Sequence, residues 1–106
     1  MSLKALPETD FEKVSSYLSG QEGKLVKFLQ DLIRIPTVNP PGDCYQQCVS
    51  YLNTKLKSMG MKTQVIRVPI NEQKKVTPHL MNYPRYNLIG RWNTGAAKTL
   101  HFNAHY

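Results

Sequence analysis

The sequence predicts an α/β fold, with helices packed on a small mixed β-sheet. Apolar residues recur at helical spacing from Phe11 to Met59. β-branched and aromatic runs bounded by Gly, Pro and Asn follow between Thr63 and His105. At 106 residues the chain makes at most one modest domain. A domain of that size buries about two-thirds of the surface its unfolded chain exposes.

Thr9 or Asp10 can cap a first helix near 9–18, where Phe11, Val14 and Leu18 share one face. Ser19 and Glu22 have the spacing of a capping box. They precede a second helix near 20–34, either a new start or a continuation through Gly20 and Gly23. Its stripe is Leu25, Phe28, Leu29, Leu32 and Ile33. Pro36 ends it and restricts Ile35. The prolines of PTVNPPGD make a stiff, non-helical connector. Asp43 can cap a third helix near 43–59, whose apolar positions include Tyr45, Cys48, Val49, Leu52, Leu56 and Met59. Gly60 is placed to end it in the left-handed conformation, with Met61 folding back onto the last turn.

Strands are expected near 63–68 (TQVIRV), 86–92 (YNLIGRW) and 98–105 (TLHFNAH). Residues 69–84 hold three prolines and no steady period, so they read as a long exposed connection. NTGAAK is turn-like and pairs the last two strands as a hairpin. In the third strand, Leu100, Phe102 and Ala104 share one face, and Thr99, His101, Asn103 and His105 the other. The core expected from these patterns is Leu25, Phe28, Leu29, Leu32, Ile33, Val49, Leu52 and Leu56 from the helices, with Val65, Ile66, Leu88, Ile89, Leu100, Phe102 and Ala104 from the strands.

An apolar share of 41% and a charged share of 20% place the chain in the globular range rather than the disordered one. No apolar run approaches the roughly 20 residues that span a bilayer. MSLKALPETDFEK lacks the apolar stretch of a signal peptide, so a cytoplasmic protein is expected. Cys44 and Cys48 lie four apart on the third helix and read as two small buried thiols, not a disulfide. No further Cys or Cys/His cluster accompanies them as a metal site would need. The net charge is +7, but its basic residues are scattered, and Lys74-Lys75 is the longest run. Nucleic-acid modules concentrate charge and interleave aromatics on one face. A solvated surface is therefore expected, with an anionic substrate or partner left open.

Three histidines are candidates for chemistry. His79 lies in the long connection and His101 in mid-strand, where solvation and structure explain them. His105 differs by its place at the C-terminal end of a strand, where α/β sheets put ligands and catalytic groups.

LIRIPTVNPPGD, an amphipathic helix, GMKTQVIRV, YNLIGRW and TLHFNAHY follow in one order. This string, roughly Leu25 to Tyr106, resembles the opening of the zinc-dependent amidohydrolases. That family includes acetylornithine deacetylase, succinyl-diaminopimelate desuccinylase, aminoacylases and related carboxypeptidases. The resemblance implies that residues 1–106 are a truncated, N-terminal portion of a zinc-exopeptidase-like catalytic domain. The rest of that domain and the dimerisation domain would lie outside 1–106. In the family the NLIG strand pairs with the strand leading into a His-x-Asp motif, whose His ligates one of two zinc ions. NAHY matches the approach to that motif, so the resemblance makes His105 a metal ligand and Tyr106 the x. It places no catalytic residue within 1–106, because the general-base glutamate and the other ligands come later in the family's chains.

The chemistry suits the residue type: neutral imidazole is a good zinc ligand. Alternation also puts positions i and i+2 of a strand on one side, where an Asp can orient the ring. The implied reaction is cleavage of the amide bond of a small N-acyl amino acid or peptide, with no nucleic acid and no membrane involved. The intact protein is expected to be a homodimer. The 106-residue chain is expected to be inactive by itself and to self-associate through an exposed sheet edge. Two other classes compete. One is a small basic binding module for nucleic acid or an acidic partner, supported by charge alone. The other is an interaction domain that uses the sheet edge.

Overall fold

The structure, a computed structural model, describes Lys4 and residues 7–106. The chain divides into two compact units, one ending at Arg34 and the other starting at Ile35.

The first unit is a pair of helices, α1 (Glu8–Gly20) and α2 (Glu22–Ile33). α1 starts before the expected caps. The Pro7 carbonyl already accepts from the Asp10 and Phe11 amides at 3.0 and 3.1 Å, which leaves Thr9 and Asp10 inside the helix. The capping box between Ser19 and Glu22 does not form. α1 runs on through Gly20, and a capping serine needs non-helical backbone. The residue between the helices is Gln21, whose amide reaches Leu18 and whose carbonyl accepts from Leu25. In the α2 stripe Phe28 and Leu32 are half-buried, while Leu25, Leu29 and Ile33 are exposed, contrary to their expected core role. The Asp31 carboxylate takes both Lys27 and Arg34, one helical turn to either side. α2 ends before Pro36, as expected.

In the second unit the proline connector folds on itself. The Val38 carbonyl accepts from the Gly42 and Asp43 amides at 2.7 and 3.0 Å. Helix α3 (Tyr45–Ser58) follows. Asp43 does not cap it. Its amide is turned back to Val38, one residue too early, and the N-cap position falls to Cys44 in the left-handed conformation. The other end of α3 behaves as expected. Gly60 has φ +83°, its amide bonds to Lys57 and the Met61 amide bonds to Leu56, which satisfies the last carbonyls.

The sheet holds two antiparallel strands, β1 (Lys62–Arg67) and β2 (Tyr86–Arg91), with Gln64 opposite Ile89 and Ile66 opposite Asn87. It replaces the expected mixed, three-stranded sheet. The Val68 amide bonds to the Arg85 carbonyl at 2.8 Å, which sets the phase of the ladder. The amides and carbonyls of Asn87 and Ile89 face β1, and those of Tyr86, Leu88 and Gly90 face outward. α3 packs on the Gly90 face. A Cβ at Gly90 would stand 2.9 Å from Leu56 Cδ1 and 3.1 Å from Met61 Sδ, so glycine there lets the helix end approach. Among the described residues the buried apolar ones are Ile35, Cys48 and Val49; Val65 is exposed, while Ile66, Leu88 and Ile89 are half-buried.

The expected third strand at 98–105 and its hairpin with β2 are absent: residues 99–106 have no regular structure. Leu100 is 78% exposed and Phe102 86%, and Ala104 is exposed too. Alternation makes a strand only where a neighbour offers a ladder and a face to cover. The connection 69–84 also departs from expectation. It contains α4 (Ile70–Val76) and a short 3₁₀ turn, Pro78–Leu80. Gln73, 5% exposed, donates its Nε2 to the Leu80 and Tyr83 carbonyls at 2.9 and 2.8 Å. Among the described residues no helix is long and apolar enough to cross a membrane.

Candidate functional site

His105 lies at the wall of a cavity of about 190 Å³ that Tyr45, Arg85, Tyr86, Asn87 and Tyr106 also line. α3 supplies Tyr45 from its first turn, and the start of β2 supplies Arg85 to Asn87. The imidazole is exposed. Contrary to expectation it is not at the end of a strand, because no ladder forms along 99–105. Its neighbour fixes the chain instead. The Tyr106 hydroxyl donates to the Tyr86 carbonyl at 2.8 Å, and its ring meets Tyr45 edge-on, with centroids 5.5 Å apart. Burial, reinforced by the neighbouring Cys48, Tyr45 and Tyr86, pushes the Tyr106 phenol above its ordinary range, against the pull of Arg85. The hydroxyl therefore stays a donor. His79 and His101 are both exposed and stand outside this cavity.

Arg85 is the other organising side chain. Its Nη2 donates to the Pro41 carbonyl at 2.8 Å, and its Cζ stands 5.1 Å from the centre of the Tyr45 ring. Gly42, at φ +106°, makes room for it: a Cβ there would lie 2.2 Å from Nη1. The proline connector is thus the seat of a guanidinium. A wider cleft of about 530 Å³ adjoins, where Gly42, Gln46, Gln47 and Ser50 face Asn82 and Tyr83, with Tyr45 common to both cavities.

Of the cysteines only Cys48 is buried; Cys44 is exposed, which corrects the expectation of two buried thiols. Neither is in a disulfide. Burial raises the Cys48 thiol above its ordinary value, so it remains a neutral packing group. Among the described residues no group of three or more His, Cys, Asp and Glu side chains could hold a metal. The cavity offers one imidazole, phenols, an amide and a guanidinium, and zinc takes about four ligands. That set is not a zinc site by itself. Sequence reasoning singled out His105 and the proline connector but missed Arg85 and Tyr45. A glycine directly after two prolines was the one local sign of a close approach.

No family model matches the chain, and no curated protein or solved structure matches it.

Proposed function

We propose that the chain is the N-terminal portion of a zinc-dependent hydrolase that cleaves the amide bond of N-acyl amino acids or small peptides. It would be of the deacetylase, desuccinylase and carboxypeptidase type. The observation that carries this reading is the position of His105: exposed, at a cavity wall, and beside an anchored tyrosine. An imidazole sealed in apolar packing would have argued against it. The ordered string from the proline connector to NAHY is the second support.

In this reading the chain is part of a zinc-exopeptidase-like catalytic domain, and His105 contributes one ligand to a two-zinc centre. A bound zinc would polarise the amide carbonyl and activate water. The completing ligands and the general base would come from residues beyond 1–106, and the whole protein would be a homodimer. A cytoplasmic location agrees with the two free thiols.

The reading frame past Tyr106 and a turnover assay test it together. The frame is expected to continue with Asp and later to supply a Glu-Glu pair and a further His. The protein so extended should hydrolyse members of a panel of N-acyl amino acids with zinc, and His105→Ala should abolish this. The 106-residue chain is expected to show no turnover above a metal-only blank. A frame without those residues, or full activity of the His105→Ala protein, would overturn the proposal.

A further inference from the structure

We infer that the cavity beside His105 is a carboxylate site, anchored by the Arg85 guanidinium, for a small acid with a short apolar chain. The inference deepens the hydrolase reading and rests on it for its biological meaning, since it names the part of the substrate that this wall receives. Binding itself needs no metal.

The guanidinium is held before any ligand arrives. Pro41 accepts from one nitrogen, Cζ stands over the Tyr45 ring, and Gly42 closes on Nη1 with no side chain between. A group positioned in this way loses little freedom on binding. Its charge also lacks an acidic counterpart. Among the described residues the ion pairs are Lys27–Asp31, Arg34–Asp31 and Lys75–Glu72, and none involves Arg85. Arginine carries five N–H donors, of which the Pro41 bond engages one nitrogen. A half-buried cation with free donors favours an anion that can accept two parallel bonds. His105 and Asn87, in the same wall, add polar edges.

The rest of the cavity defines the ligand. Tyr45 and Tyr106 meet edge-to-face and offer ring surface against which a short hydrocarbon chain can lie, within an otherwise polar lining. At about 190 Å³ the space is too small to enclose a nucleotide. The net charge of +7 favours the approach of an anion.

The test uses the full chain in EDTA, titrated with butyrate and, in parallel, with neutral butyramide and inorganic phosphate, and followed by NMR. Butyrate is expected to give saturable shifts at Arg85, Asn87 and Tyr106, and butyramide none. Arg85→Gln, its fold checked by circular dichroism, should weaken binding about tenfold or more. His105→Ala alters an exposed side chain and should weaken it a few-fold, so it keeps the test open if Arg85→Gln does not fold. Shifts that do not saturate, or that map elsewhere, overturn the inference. So does equal binding of butyramide or phosphate, or unchanged binding by a folded Arg85→Gln protein. Butyrate binding without hydrolysis in the extended protein would defeat the hydrolase reading alone. Hydrolysis without butyrate binding would defeat this site alone.

Discussion

Gly42→Ala is the most informative perturbation of this fold. Two costs follow from the geometry. Alanine at φ +106° is strained, by about 1–2 kcal/mol. Its Cβ would also lie 2.2 Å from Arg85 Nη1 and 2.8 Å from Cζ, so the guanidinium must move. Moving it breaks the bond to Pro41 and the contact with the Tyr45 ring. For a half-exposed arginine that is about 1–2 kcal/mol after discounting for solvent. The sum, about 3 kcal/mol, lowers a urea midpoint by about 2 M at a slope near 1.5 kcal/mol/M. Gly95→Ala isolates the strain, because Gly95 has φ +77° and nothing within 4 Å. In an Arg85→Gln background, Gly42→Ala should cost only what Gly95→Ala costs. Equal losses for Gly42→Ala and Gly95→Ala in the natural background would refute the claim that Arg85 is seated on Gly42.

Two further outcomes are expected. Both Cys48 and Tyr106 have folded-state pKa values raised by burial, so their contribution to stability is fully present below the ordinary values of 9.0 and 10.0 and is lost as pH rises beyond them. Urea midpoints should therefore fall above about pH 9, and the fall should flatten in the Cys48→Ala, Tyr106→Phe protein. Gln73→Ala should cost about 1–3 kcal/mol by leaving the Leu80 and Tyr83 carbonyls without their donor, with hydrogen exchange rising first over 77–84.

Much of the fold was legible because it is local. The stripes of α1, α2 and α3 follow helical spacing, and Gly60 ends α3 by a rule written within four residues. β1 and β2 announced themselves by β-branched runs, but their pairing across 69–85 did not, since register depends on packing far away in sequence. TLHFNAH shows the limit of alternation, which describes what a strand would do once a neighbour exists. α4 was hidden for the opposite reason. INEQKKV is short, and its one buried residue is a glutamine, so the residue that anchors it reads as surface. In the candidate site, His105 and the proline connector were visible as motifs. Arg85 and Tyr45 matter through contacts 40 or more residues apart in sequence, and no local pattern encodes those.

The Tyr106 phenol rests on a carbonyl that belongs to the outward edge of β2. An incoming strand on that side would claim the same oxygen for its own amide. Widening the sheet and keeping the tyrosine pair thus share one oxygen, whose second lone pair is what an added amide would take. A strand that extends β2 there comes up against the Tyr106 side chain, and with it the edge-on contact to Tyr45 at the pocket.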